Sequence, residues 1–162
     1  MIILHIKTVE RDEKMIEAVR VATEEELQKT FAIRKEVFVK EQGVPEENEI
    51  DEYDSLDAPC NHLLILADGK PVGAGRIRFM DGVGKLERIC VLKPYRQLGI
   101  GKVIVQELEN IAKEKGVSKV KLHSQTHANT FYEQLGYQIQ SDVFYEEGIP
   151  HNVMVKNLDT SN

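Results

Sequence analysis

The apolar residues of this 162-residue chain recur at two spacings, and each spacing predicts a different kind of element. Asp68-Gly69 and Asp81-Gly82 separate three apolar runs, and such dipeptides are typical of two-residue hairpin turns. The sequence therefore predicts a three-stranded antiparallel meander. Strands are predicted over about 2–9, 15–22, 62–67, 71–80, 85–92, 117–122, 139–145 and 153–155.

Helical spacing of apolar residues marks three other segments. Thr23 and Glu26 form a capping box, which predicts a helix start. The apolar stripe that follows carries Arg34, which is either buried with a carboxylate partner or extends its stem over the core. A second, strongly amphipathic helix is predicted over 100–115, and a short third helix over 128–134.

The order of these elements predicts an α/β (α+β) fold. The helix over 100–115 connects two strands by a crossover too long for a hairpin, so those strands should be parallel. We expect a mixed, mostly antiparallel sheet with one parallel strand pair and helices on both faces. The length fits one domain over 1–162.

Composition narrows the function classes. The net charge of −6 disfavours a nucleic-acid partner and suits a cationic substrate, although acidic balance is also ordinary solubility chemistry. We expect no membrane span, and the N-terminus lacks the features of a signal peptide. Cys60 and Cys90 fit a reduced, cytoplasmic setting, with Cys90 as a small core residue or a nucleophile. His123 and His127 are four residues apart across a predicted strand-to-helix break, so no metal is expected.

The segment Arg96-Gln97-Leu98-Gly99-Ile100-Gly101 lies where a predicted strand gives way to a predicted helix. Glycines let a ligand approach the backbone, and first-turn N–H groups with the helix dipole attract anions. Two familiar phosphate loops are excluded, because Ile104 replaces a dinucleotide fingerprint glycine and Val103 replaces the Walker Ser or Thr. A phosphate site is predicted, and a glycine-rich turn with a surface arginine is the alternative.

The pattern Arg-x-x-Gly-x-Gly after "RICVLKPY" resembles motif A of the GNAT superfamily of N-acetyltransferases. Asn129-Thr130-Phe131-Tyr132-Glu133-Gln134-Leu135-Gly136-Tyr137 resembles that superfamily's second signature. The resemblance covers about 15–157 and leaves 1–14 outside. "RKEVFVKEQ" from Arg34 and "GIPH" from Gly148 are similar to a subgroup of small uncharacterised bacterial acetyltransferases.

The resemblance implies acetyl-CoA as cosubstrate. Its pyrophosphate would rest on the backbone of 96–102, and its pantetheine arm would bond the edge of a strand that splays from its parallel neighbour. Gln125 stands where the family often has asparagine, and Asn129 could substitute. The implied cofactor-binding residues are Ile89, Cys90, Val91, Arg96, Gln97, Leu98, Gly99, Ile100, Gly101, Lys102, Gln125 and Asn129.

The resemblance also implies catalytic roles. Tyr132 matches the family's tyrosine general acid, which would protonate the leaving thiolate; otherwise it is a core tyrosine. Glu87 is the expected general base, on the same strand face as Ile89 and Val91 unless a bulge changes that parity; a charged residue near a strand end is the alternative. Other candidates are Glu41 and the acidic loop over 43–60, where Asp51 and Asp54 could hold a cationic amine. Arg34 is a further candidate for a substrate contact.

These residues predict an acetyl-CoA-dependent N-acetyltransferase that acts on a small-molecule primary amine, as a monomer or a homodimer. Two other functions are open. The first is an acyltransferase like the acyl-homoserine-lactone synthases. A motif of that family has the spacing of Arg34, Phe38, Asp51, Asp54 and Arg76, although this chain lacks the motif's tryptophan. The second is a non-catalytic protein that binds or senses CoA.

Overall fold

The computed structural model describes residues 6–158, in which nine strands form one sheet. Their spatial order is β1-β2-β3-β4-β5-β6-β9-β7, and β8 pairs with β9 beside this path. The strands are β1 (Ile6–Arg11), β2 (Lys14–Arg20), β3 (Cys60–Ala67), β4 (Lys70–Met80), β5 (Val83–Val91), β6 (Lys119–Gln125), β7 (Gln138–Ile139), β8 (Phe144–Glu146) and β9 (Ile149–Asn157).

Four α-helices connect these strands in the described chain. They are α1 (Glu24–Arg34), α2 (Glu46–Glu49), α3 (Ile100–Glu114) and α4 (Asn129–Gln134). A π-helical segment, Lys35–Glu41, continues α1 without a break. The capping box is confirmed, because Thr23 accepts from the Glu26 N–H and the Glu26 side chain accepts from the Thr23 N–H.

Every strand pair is antiparallel except β5 and β6, which are parallel. The two predicted hairpin turns are present, with φ of 48° and 82° at Asp68-Gly69 and 52° and 75° at Asp81-Gly82. Positive φ at both central residues matches the right-handed twist of the strands. The predicted mixed sheet with one parallel pair is confirmed.

Helices pack on both faces of the sheet, as predicted. Leu63 and Ile65 of β3 share one core cluster with Ile104 of α3. Leu64, between them, belongs to a second cluster with Ile33 of α1. Because successive strand side chains point to opposite faces, α1 and α3 lie on opposite sides of the sheet.

One bulge interrupts β5 at Arg88, which has a φ of 58°. The register shifts there, so that Arg76 pairs with Glu87 but Ala74 pairs with Cys90. Ile89 packs on the α3 face, whereas Glu87 bonds Arg76 on the other face. The prediction that Glu87 shares a face with Ile89 and Val91 was therefore wrong, because the extra residue reverses the side-chain alternation.

The C-terminal strands also differ from the prediction. The single strand predicted over 139–145 is two short strands, β7 and β8, because the chain bends between them and each pairs with a different part of β9. The strand predicted over 153–155 is part of the longer β9. The strand predicted over 2–9 is present from Ile6 as β1, and residues 2–5 lie outside the described residues.

Candidate active site

The parallel strands β5 and β6 separate before they end. Their pairing runs from Val83 with Lys119 to Leu86 with Leu122, although β5 continues to Val91 and β6 to Gln125. A cleft with a volume of about 850 Å³ occupies this opening and extends to the start of α3 and to α4. The splay expected from the family resemblance is present.

The start of α3 forms one end of the cleft. Gly99 is its N-cap residue in the left-handed conformation, with a φ of 74° and no side-chain cap. The Val103 N–H donates to the Gly99 carbonyl, so the N–H groups of 100–102 precede the first intrahelical bond and are available to a ligand. Of the predicted loop residues, the structure places Arg96, Gln97, Gly99, Ile100, Gly101 and Lys102 along the cleft.

Two other features of this end follow from packing. A Cβ on Gly101 would lie 3.1 Å from Cζ of Phe131, so glycine lets α3 approach that ring closely. Leu98 packs against the hydrophobic core instead of facing the cleft. Only the backbone of Leu98 could therefore make the predicted contact with a cofactor.

Arg96 is held at the cleft by two hydrogen bonds. Its Nε donates to the Val91 carbonyl at 2.9 Å, and its Nη2 donates to Glu41 Oε1 at 3.0 Å. Glu41 is thereby placed beside the loop of residues 96–102. This position fits a residue that orients Arg96 better than one that contacts the acceptor.

The edge of β5 is open on the β6 side beyond Leu86. The Leu92 N–H donates to the Val72 carbonyl of β4, so alternation directs the Val91 and Ile89 N–H groups into the gap. Cys90 lies between them with its side chain in the core, and burial raises the pKa of its thiol to about 12. Cys90 therefore packs in the core, and its thiol is not an activated nucleophile.

Tyr132 of α4 lines the same cleft. Its ring packs edge-on against Phe131 at 4.9 Å and Tyr137 at 5.9 Å between centroids. Burial, with a smaller contribution from Cys90, raises the pKa of Tyr132 above that of a free phenol. The hydroxyl therefore stays protonated near neutral pH and can donate.

The two amide candidates for the cofactor arm differ in position. Gln125 lines the cleft, and its Nε2 donates to Gln42 Oε1 at 2.8 Å. Asn129 is turned away towards β9, where its Nδ2 donates to Asn152 Oδ1 at 2.9 Å. The structure thus brings Gln125, and not the Asn129 side chain, to the cleft.

Arg34, Asp51 and Asp54 meet in a buried ion cluster beside the cleft. Arg34 donates to Asp54 at 2.7 Å and to Glu49 at 3.0 Å, and Arg76 donates to Asp51 at 2.8 Å. Burial alone would raise the pKa of Asp54, but its bonds to Arg34 outweigh that effect and hold the pKa well below the usual range. Of the two alternatives for Arg34, the structure shows burial with carboxylates.

Glu87 belongs to the same cluster and also reaches the cleft. Its carboxylate contacts Arg76 at 3.0 Å, Arg78 at 2.8 Å and Lys85 at 3.0 Å. Burial would raise the pKa of Glu87, but these three cations outweigh it and lower the pKa to about 2. A carboxylate with so low a pKa is a weak proton acceptor at neutral pH.

The cleft contains polar residues that the sequence patterns did not assign. His123 and Glu146 form a pair, with Nδ1 and Oε1 2.6 Å apart, and His151 lies nearby on β9. Asn48 Nδ2 donates to Glu147 Oε2 at 3.3 Å, which joins α2 to the turn after β8. The available signal was the alternation of His123 with Gln125 on one strand face, but no local pattern identifies Glu146 as a partner 23 residues away.

Within residues 6–158, no group of three or more His, Cys, Asp or Glu side chains could hold a metal ion. No helix in this part of the chain is long and apolar enough to cross a membrane.

Comparison with known proteins agrees with this architecture. Residues 13–158 match the model of the acetyltransferase (GNAT) domain family. The chain is 51% identical over 139 residues to the uncharacterised protein YyaT of Bacillus subtilis, covering 86% of this chain and 94% of YyaT. This chain belongs to the GNAT acetyltransferase family.

Two solved structures share the fold. A candidate N-acetyltransferase from Lactobacillus plantarum superposes with a TM-score of 0.81 at 28% identity, covering 88% of this chain and 98% of that one. The PaiA N-acetyltransferase from Thermoplasma acidophilum, solved in complex with coenzyme A, superposes with a TM-score of 0.69 at 21% identity, covering 88% and 98%. The second likeness is one of fold alone.

Proposed function

We propose that this protein is an acetyl-CoA-dependent N-acetyltransferase that moves an acetyl group to the primary amine of a small molecule. The observation that carries the proposal is the convergence on one cleft of an uncapped helix start, an open strand edge and a buried tyrosine. Backbone N–H groups at the helix start suit a pyrophosphate. An open strand edge suits the amide-containing pantetheine arm.

The residues suggest how the transfer proceeds. The acetyl carbonyl would lie near the Val91 N–H, which can donate to the oxyanion of the tetrahedral intermediate. Tyr132 would give its proton to the thiolate as the carbon–sulfur bond breaks. Cys90 takes no part as a nucleophile, so the amine attacks the thioester directly.

The general base is a separate question. Glu87 remains a predicted base, but its three cationic neighbours disfavour the role. Its position in the cluster supports a different contribution, in which it fixes β5 against β4 beside the bulge. Asp51, Asp54 and Arg34 would likewise support the site without touching the substrate.

The motif shared with acyl-homoserine-lactone synthases has a structural explanation here. Arg34, Asp51, Asp54 and Arg76 hold one another in the buried cluster. No observation therefore favours that synthase activity over amine acetylation.

The test combines two measurements on the purified protein. Thermal unfolding with CoA reports the cofactor site, because a ligand at about 100 times its dissociation constant adds about 2.7 kcal/mol of stability. Thiol release from acetyl-CoA is then followed with 1,5-diaminopentane, glucosamine and glycinamide. A CoA shift with thiol release for one amine supports the proposal. A thermal shift without turnover would favour a non-catalytic CoA-binding protein. The absence of a thermal shift would contradict the proposed cofactor site.

A further inference from the structure

We propose that His123, oriented by Glu146, is the general base that removes the proton from the acceptor ammonium. This inference rests on the proposed N-acetyltransferase function and names the residue that the reaction still lacks. An alkylammonium cannot attack a thioester until it loses a proton, so some group in the cleft must accept it. His123 is the residue whose geometry fits that task.

The position of His123 follows from the sheet. Leu122 faces the core, so His123 points to the opposite face of β6. Lys85 pairs with Lys121 in the parallel register, and continued pairing would bring Glu87 opposite His123. The strands part at this point, so Glu87 and His123 line the two sides of the opening.

Hydrogen bonding decides which ring nitrogen of His123 is free. Nδ1 lies 2.6 Å from Glu146 Oε1, and an ionised carboxylate only accepts hydrogen bonds. Nδ1 therefore carries the proton in the neutral ring, and Nε2 keeps its lone pair. The T-shaped contact with Phe144, at 5.2 Å between centroids, fixes the ring plane.

Glu146 does more than orient the ring. Its negative charge beside Nδ1 stabilises the imidazolium that forms when Nε2 takes a proton. Within residues 6–158, His151 has no such carboxylate partner, and its Nδ1 lies 2.7 Å from the neutral carbonyl of Ile149. Glu87 lacks the basicity, since three cations hold its carboxylate. The comparison favours His123 over both.

The proton balance of the transfer is then complete. His123 Nε2 takes one proton from the ammonium and releases it to water through the open cleft. The amine nitrogen bonds to the acetyl carbon, and the carbon–sulfur bond breaks as Tyr132 protonates the thiolate. The tyrosinate recovers a proton from the newly bonded nitrogen, which leaves an amide and free CoA.

The experiment uses His123→Gln in the full chain, with the amine from the panel that the wild-type protein acetylates fastest. We expect kcat to fall about 100-fold. The CoA-induced thermal shift should not change. Lys121→Gln is the matched control, since it alters the same face of the same strand two residues away, and it should keep wild-type kcat. Glu146→Gln should lower kcat with KM for acetyl-CoA unchanged, and Glu146→Asp should restore part of the loss.

Two further measurements separate a base from a structural residue. Imidazole in the buffer should restore turnover to His123→Ala but not to Tyr132→Phe. Hydroxylamine is neutral at pH 7 and needs no base to remove a proton before it attacks. The His123→Gln change should therefore lower kcat less with hydroxylamine than with the ammonium substrate. The assignment of His123 would be overturned if His123→Gln kept wild-type kcat, or if imidazole did not restore turnover to His123→Ala. Either result would leave the proposed N-acetyltransferase function in place. Failure of the wild-type protein to acetylate any amine of the panel would overturn the proposed function with it.

Discussion

The guanidinium of Arg34 and the carboxylate of Asp54 form a two-point ion pair, with Nη1–Oδ1 at 2.7 Å and Nη2–Oδ2 at 2.9 Å. Both side chains are almost completely buried, and 20 residues separate them. Arg76 of β4 shares Asp54 with Arg34. The pair therefore connects the end of α1, the loop that carries Asp54 and the sheet beside the cleft.

Replacing Arg34 with methionine should strongly destabilise the fold. The change keeps an unbranched side chain but leaves buried Glu49 and Asp54 without one of their cations, and such losses cost about 3–5 kcal/mol. Urea unfolding measures the effect. Lys29→Gln is the control, because it removes an exposed pair with Glu25 and should change the unfolding free energy by less than about 1 kcal/mol. Equal effects of the two variants would contradict a structural role for Arg34.

The ion cluster should make stability depend on pH in the acid range. The pKa of Glu87 is about 2 in the folded protein, below its unfolded value. The unfolded chain therefore binds more protons between these two pKa values, so stability rises with pH there. The contribution of Glu87, up to about 3 kcal/mol, is complete above the unfolded pKa and is lost as pH falls towards 2.

The measurement is urea unfolding of the wild-type protein and Glu87→Gln from pH 2 to pH 7. The stability difference between them should grow up to about pH 5 and then stay constant. Stability curves that run parallel across the whole range would show that Glu87 is not held by its cationic neighbours.

Tyr132→Phe should lower kcat while CoA still binds. The variant loses only the hydroxyl, and loss of a general acid typically costs about 10²–10⁴-fold in rate. Thiol release measures turnover, and thermal unfolding with CoA measures binding. Tyr145→Phe is the control, because that tyrosine is 70% exposed and should keep wild-type turnover. Equal kcat for wild type and Tyr132→Phe would remove Tyr132 as the acid.

Arg96→Gln should weaken CoA binding by about 10-fold or more. The change removes a charged donor from the predicted pyrophosphate loop, and hydrogen bonds to charged groups contribute about 1.5–3 kcal/mol. Calorimetric titration with CoA in low and high salt measures affinity and its electrostatic part.

Glu41→Gln provides the comparison for Arg96. It keeps the arginine and removes only its carboxylate partner, so CoA affinity should fall less than in Arg96→Gln. A CoA affinity in Arg96→Gln equal to that of the wild-type protein would show that the loop acts through its backbone alone.

Local patterns predicted much of the fold. The hairpins at Asp68-Gly69 and Asp81-Gly82 depend on residues adjacent in sequence, and the structure contains both turns. The capping box at Thr23 and the amphipathic pattern of α3 are equally local. The bend between β7 and β8 was missed, because it depends on how each strand meets β9.

The site could be predicted in part. The helix start after Gly99 follows from a pattern that spans a few residues, whereas the position of Tyr132 in the cleft was implied by the family resemblance. The pairing of His123 with Glu146 does not, because β6 and β8 come together only through β9. The surroundings of Glu87 also depend on β4, which supplies Arg76 and Arg78.

The sequence by itself determined most of the element order, the two hairpin turns, the capping box at Thr23 and the glycine-rich loop, because these depend on backbone preferences and hydrogen bonds between near neighbours. The tertiary structure decided which charged side chains are buried together, which face Glu87 occupies after the bulge at Arg88, and which histidine has a carboxylate partner in the cleft. These features require contacts between residues far apart in the chain, and a single local pattern carries no information about such contacts.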